Sequence, residues 1–253
     1  MSEFEDGSGT LNDFTAEAVT PPRIVVLISG NGGNLQALID AQSHDRLGGG
    51  EIAAVVSNVA DAYGLKRARE AGIDAVALPH REYDSREAYD GALIKVIERH
   101  EPDLVVLAGF MRILTPRFVQ RFIGRMLNIH PSLLPAYQGL DTHARAVADG
   151  VAEHGCSVHF VTEELDGGPV ALQAALNVSP EDSPATLKDK VHAREHLILP
   201  IAVSWFVEGR LRFDGTHATM DGVALPERGM RMSHEDAAEE LDETDDSAQS
   251  TRP

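Results

Sequence analysis

The sequence predicts an α/β fold, a mostly parallel sheet with flanking helices and a C-terminal antiparallel extension, on three observations. From Arg23 onward, short β-branched apolar runs alternate with amphipathic stretches, the pattern of a parallel sheet covered on both faces. Glycine-rich or proline-bounded loops follow those runs, at the edge where open α/β sheets bind ligands. After Leu127 the pattern changes, and residues 157–178 read as two strands around the turn-forming cluster Asp166-Gly-Gly-Pro169.

Taken in order, residues 24–28 are a buried strand, 34–41 begin a helix, and 52–56 are the second strand. A helix over 62–71 leads to a third strand at 74–78. The helix over 85–100 carries Ala88, Leu93 and Val96 on one face and leads to a fourth strand at 103–107. Right-handed crossovers then make the sheet Rossmann-like. Residues 125–129 form a further strand. Residues 184–206 have helical spacing, with Pro184 in the first turn and Gly209 ending the element, and 210–213 with 222–225 form a last hairpin.

Composition narrows the function. With 253 residues, 43% hydrophobic and 25% charged, the chain suits one soluble domain, placed at residues 21–227. No apolar run approaches the roughly 20 residues that span a bilayer. The start lacks the basic and apolar stretches of a signal peptide, so a cytoplasmic setting is expected. Cys156 is the single cysteine and sits in a strand-like run; it reads as a small buried thiol, and no thiolate metal cluster can form. No metal is expected. Residues 1–20 carry five acids and no Lys or Arg, and residues 228–253 carry eight acids against three Arg. Both read as disordered acidic tails. A net charge of −18 argues against nucleic acid as a partner and leaves small-molecule substrates, with the chain a monomer or homodimer.

Ser29-Gly-Asn-Gly-Gly-Asn34 lies between the first strand and first helix, where glycines let backbone N–H groups approach an anion at a helix N-terminus. Gly32, Gly33 and Asn34 thus form a candidate phosphate cradle; a tight turn without ligand is the alternative. The loop is neither a dinucleotide fingerprint nor a Walker loop, since it lacks Lys-Ser/Thr and no acid ends the second strand. In Met126-Leu-Asn-Ile-His-Pro-Ser-Leu-Leu-Pro135, strand alternation projects Asn128 and His130 from one face while Leu127 and Ile129 pack behind. One side chain can then hold an oxygen while its neighbour carries a proton, although such pairs also end strands as turn chemistry.

The run Asn-Ile-His-Pro-Ser-Leu-Leu-Pro resembles the signature of the 10-formyltetrahydrofolate-dependent formyltransferases. The likeness covers roughly residues 23–226, and its segments lie in the order found in members that act on glycinamide ribonucleotide. It implies transfer of the formyl group of 10-formyltetrahydrofolate, a co-substrate, to that ribonucleotide's amine. It makes Asn128, His130 and Asp166 catalytic, with Asp166 beside His130 favouring the imidazolium. It also implies that Gly109-Phe-Met-Arg-Ile-Leu-Thr-Pro116 lines the folate pocket through Met111, Arg112, Ile113 and Leu114, joined by Arg86 and Asn128. Glu195 holds the amino end of the ribonucleotide. By residues alone Arg86 and Glu195 would be solvated helix positions and Asp166 a turn residue.

Four departures stand out. Members acting on the ribonucleotide have Gly-Asn-Gly-Ser-Asn where this chain has Gly33, so one hydroxyl contact to phosphate is lost. The pattern also has a basic residue at Ala136, proline at Gln138 and histidine at Asp141, and Asp141 is left out of the site. Rival members are a formyltetrahydrofolate deformylase, which would add an N-terminal domain, and a methionyl-tRNA formyltransferase, which would add a basic C-terminal domain. A non-enzymatic sensor has no need of Asn128, His130 and Asp166 together.

Overall fold

The computed structural model describes residues 20–232 and Asp236. Its parallel half alternates strand and helix: β1 (Arg23–Ile28), α1 (Gly33–Ser43), β2 (Glu51–Ser57), α2 (Tyr63–Glu70), β3 (Asp74–Ala77), α3 (Arg86–Glu98), β4 (Leu104–Leu107), α4 (Pro116–Phe122) and β5 (Met126–His130). There follow α5 (Thr142–Ala148), the strands β6 (Glu153–Phe160) and β7 (Val170–Asn177), and the long α6 (Pro184–Val207). Four short strands end the described chain: β8 (Leu211–Phe213), β9 (Ala218–Met220), β10 (Val223–Ala224) and β11 (Met230–Met232).

Eight strands form one sheet in the order β11-β7-β6-β5-β4-β1-β2-β3. Strands β1 to β5 run parallel, and β6 is antiparallel to both β5 and β7. The chain leaves β1 for β2 and β3 on one side, then returns to β4 on the other. The loops after β1 and β4 therefore diverge from neighbouring strands and open a crevice, the switch point where such sheets hold ligands. Side-chain alternation splits the core into two layers. Ile24, Val26 and Ile28 face α1 and α6 residues such as Leu38 and Ile198. Val25 and Leu27 face Leu93 and Ile97 of α3 and the Phe118 and Phe122 rings of α4.

Three expectations are corrected. The buried face of α3 is Tyr89, Leu93 and Ile97 with Asp90 and Ile94, while Ala88 is exposed and Val96 only partly buried. The pattern misled because a buried Asp90 interrupts it: its Oδ2 accepts the Thr115 N–H at 2.7 Å, at the cap of α4. The last hairpin is a three-stranded sheet in which β8 and β10 each pair with β9. The middle strand, Ala-Thr-Met, is too short and mixed to show alternation. The described fold continues past residue 227, because β11 runs parallel to Leu172–Ala174 of β7 and buries Met232. The expected acidic tails, residues 1–20 and 228–253, lie outside the described residues apart from Thr20, residues 228–232 and Asp236.

The β6–β7 connection carries Asp166, and glycine sets its shape. A Cβ on Gly168 would stand 1.9 Å from the Phe160 carbonyl oxygen, whereas one on Gly167 would meet only the Glu164 side chain. Gly168→Ala is expected to lower stability by about 1–3 kcal/mol or more in urea unfolding, because backbone must move. Gly167→Ala is expected to be milder, since Glu164 can swing away; equal losses would contradict this account of the turn.

Candidate active site

Asn128 and His130 project from one face of β5, as alternation requires, and the antiparallel register sets His159 opposite Asn128 and Ser157 opposite His130. Each pairing has a consequence. Asn128 Nδ2 lies 3.0 Å from His159 Nε2, and His159 Nδ1 lies 2.9 Å from the Phe160 carbonyl oxygen. A carbonyl only accepts, so Nδ1 carries the proton and Nε2 accepts from the Asn128 amide. Burial holds the His159 pKa down at about 4, so the ring stays neutral at neutral pH. The amide is thereby oriented, and its second N–H is left for a ligand.

Opposite His130, Ser157 Oγ donates to the Ser132 carbonyl at 2.6 Å and accepts from Leu134 N at 3.0 Å. Gln173 Nε2 donates to both Ser157 Oγ and the Leu134 carbonyl. These bonds tie the proline-bounded loop after β5 to the sheet. His130 is buried; its Nε2 donates to the Tyr137 carbonyl at 2.9 Å, and its Nδ1 stands 3.5 Å from Asp166 Oδ2. Asp166 occupies a left-handed backbone conformation with φ of +51°. Its Oδ2 accepts the Gly139 N–H at 2.9 Å, and its Oδ1 lies 3.9 Å from His159 Nε2. Asn128, His130 and Asp166 thus meet as expected.

The second cluster lies at the loop after β1. Gly32, with φ of +74°, caps α1 without any side-chain bond, so the first-turn N–H groups stay open. A Cβ there would meet Gly64 Cα at 2.8 Å, so glycine is required at position 32. Arg67 Nε donates to the Asn31 carbonyl and Gly64 N to the Gly30 carbonyl, which fix the loop. Asn34 Nδ2 donates to Glu195 Oε2 at 2.8 Å, joining α1 to α6, while Asn34 Oδ1 is buried without a partner. Glu195 is buried, and desolvation raises its pKa to about 7 despite the Asn34 bond.

The loop after β4 joins the same edge. Met111 and Ile113 expose their side chains, Leu114 is half-buried, and the Arg112 guanidinium lies 4.7 Å from the Tyr89 ring centre. The Met111 N–H is not available to a flat heterocycle, however. It donates to Ser29 Oγ at 2.8 Å, and that hydroxyl donates to Asn58 Oδ1. Arg86 sits exposed on the first turn of α3, and among the described residues no hydrogen bond or ion pair joins it to the other site residues. His159, Ser157, Ser29 and the Gly139 amide were outside the expected set. The alternation Ser157-Val-His159 is visible in the sequence, but its register against Asn128 is not.

One edge of the Rossmann-like sheet thus combines an open helix N-terminus with an oriented amide beside a histidine–aspartate pair. The chain belongs to the formyl transferase family, whose model matches residues 22–203. It is 56% identical over 206 residues to the phosphoribosylglycinamide formyltransferase of Escherichia coli K12, covering 81% of this chain and 97% of that protein. It is 44% identical over 211 residues to the human trifunctional purine biosynthetic protein adenosine-3, 83% of this chain but 21% of that one. The structure of the Coxiella burnetii phosphoribosylglycinamide formyltransferase in complex with CHES superposes with a TM-score of 0.80 at 52% identity, covering 84% of this chain and all of that one. No helix among the described residues is long and apolar enough to cross a membrane.

Folding raises Glu195 from its ordinary 4.5 to about 7, so the folded state holds this proton more tightly. The stability it contributes is full below pH 4.5 and is lost as pH rises to 7, by about 3 kcal/mol. Glu195→Gln keeps the acceptor and removes the titration. The stability of that variant relative to wild type is expected to grow by about this amount between pH 4.5 and 7 in urea unfolding; a constant difference would contradict the buried carboxyl.

Proposed function

We infer that this chain transfers the formyl group of 10-formyltetrahydrofolate to the amine of 5-phosphoribosylglycinamide, giving formylglycinamide ribonucleotide and tetrahydrofolate, a step of purine synthesis. The observation that carries the reading is the Asn128 amide held by neutral His159 beside the His130–Asp166 pair. The open amides of Gly32, Gly33 and Asn34 take the phosphate, and Glu195 with Asn34 holds the ribonucleotide alongside. Folate lies along Met111, Arg112, Ile113 and Leu114, with Arg86 reaching its acidic tail.

In the reaction the amine lone pair forms a bond to the formyl carbon, and the carbonyl electrons move onto oxygen. Asn128 donates its free N–H to that oxygen, the geometry of an oxyanion hole. His130 stands beside the reacting group, and Asp166 orients its ring. Because Nε2 is held by the Tyr137 carbonyl, direct proton delivery from that nitrogen requires the 137–139 segment to move. Collapse re-forms the carbonyl and breaks the bond to the folate nitrogen. The proton released by the amine balances the one that nitrogen takes up, relayed by water. Every step is proton transfer and acyl transfer, so the chemistry calls for no metal ion, and the reading implies a cytoplasmic enzyme.

Loss of an oxyanion donor costs on the order of a hundredfold in turnover. Purified wild-type protein is expected to release tetrahydrofolate, followed by absorbance, only when the ribonucleotide is present. Asn128→Ala is expected to turn over at least about a hundredfold more slowly while still folding, with a urea midpoint lowered by the loss of the bond to buried His159. Near-wild-type turnover by the variant removes Asn128 from the mechanism, and ribonucleotide-independent release by wild type would make the chain a deformylase.

A further inference from the structure

Residues 137–140, which follow the proline-bounded loop, are held from two sides. On the inner side they bind the groups of the site. The Tyr137 carbonyl accepts from His130 Nε2 at 2.9 Å, Gln138 Nε2 donates to the Asp166 carbonyl at 3.2 Å, and the Gly139 N–H donates to Asp166 Oδ2 at 2.9 Å. On the outer side stands α5. Arg145 Nη1 donates to the Gln138 carbonyl at 2.7 Å and lies 3.4 Å from the Leu140 carbonyl oxygen, and the guanidinium is 5.2 Å from the centre of the Tyr137 ring. The Tyr137 hydroxyl donates to Asp149 Oδ2 at 2.9 Å, at the C-terminal cap of the same helix.

The backbone of this segment does not keep its shape unaided. Tyr137 and Asp141 are left-handed, with φ of +56° and +57°, and Gly139 between them has φ of +80°. A residue with a side chain enters that region at a cost, so contacts from outside the segment must hold it there. The related pattern has proline at position 138, whose ring would fix one torsion; Gln138 leaves that torsion free. Arg145 supplies the restraint from α5, because the two carbonyls it faces lie on either side of Gly139, where the backbone turns most freely.

We propose that Arg145 is a positioning residue for formyl transfer: from α5 it keeps residues 137–140 closed against His130 and Asp166, so that the pair is set before substrate arrives. The proposal rests on the reading of Asn128, His130 and Asp166 as the transfer site. Released from Arg145, the segment withdraws both the acceptor of His130 Nε2 and a donor to Asp166 Oδ2, and the two side chains lose the orientation that sets them 3.5 Å apart. The closed segment is the productive one. A residue that merely supported the fold would change unfolding and leave turnover per folded molecule alone.

The test is steady-state kinetics and urea unfolding of wild type, Arg145→Met, Arg145→Lys and Tyr137→Phe, with nitrogen NMR of the His130 ring assigned by its substitution. Arg145→Met is expected to lower kcat about fivefold, the effect of one exposed bond from a charged donor, with both KM values within about twofold. The same variant is expected to lose the protected Nε2 proton of His130. Arg145→Lys keeps a cation that can reach the Gln138 carbonyl and is expected to recover part of kcat. Tyr137→Phe gives up the bond to Asp149 and is expected to lower kcat in the same way but less; it decides the question should Arg145→Met fail to fold. An unchanged or raised kcat, a rise in KM without a fall in kcat, no recovery by lysine, or an intact His130 proton in Arg145→Met would overturn the proposal. If wild type does not use the ribonucleotide at all, the functional reading fails, and the His130 proton in wild type against Arg145→Met still decides whether Arg145 positions the ring.

Discussion

The hydrogen bond from Asn128 to His159 is the constraint on which the catalytic edge depends. It exists because β6 pairs antiparallel with β5 in a register that sets these residues opposite each other. A slip of one residue would turn His159 to the other face and leave the amide unheld. The same register puts Ser157 opposite His130, where it anchors the loop that brings the Tyr137 carbonyl to the ring. The β6–β7 turn then returns Asp166 to the site, with Gly168 packed on the Phe160 carbonyl. One strand pairing thus places an amide, an imidazole and a carboxylate together.

The two ends of the site use burial differently. At the catalytic end, desolvation keeps His159 neutral, which suits it to accept a hydrogen bond and fix its neighbour. At the end proposed for the ribonucleotide, desolvation keeps Glu195 near the midpoint of its titration at neutral pH, joined to Asn34 at the start of α1. Both groups would be ordinary in water. The sheet edge is what makes one a structural acceptor and the other a responsive carboxyl. Ser29 connects the loops after β1 and β4, so the regions proposed for phosphate and folate are not independent.

Much of this was legible in the residues. The parallel half of the sheet follows from runs such as Ile-Val-Val-Leu-Ile, buried on both faces and alternating with helical stretches. Alternation alone put Asn128 and His130 on one face. What the sequence did not carry were contacts set by register and by buried polar groups. His159 acquires its role only from the strand opposite it. Asp90 breaks the apolar pattern of α3 because its partner, the Thr115 amide, lies 25 residues away. Met230–Met232 is too short to signal a strand and is held by an edge of β7 that only the fold exposes. The Met111 amide, in the segment expected to line the folate pocket, is taken by Ser29, another contact that only the fold brings together.

The most direct measurement is the nitrogen NMR of the histidine rings across a pH titration, with His159 assigned by its substitution. The structure requires a neutral His159 with the proton on Nδ1 and an accepting Nε2, unchanged until the pH falls to about 4. A proton on Nε2, or titration near the ordinary 6.5, would mean that Asn128 is not held as an oxyanion donor, and the account of the site would fail with it.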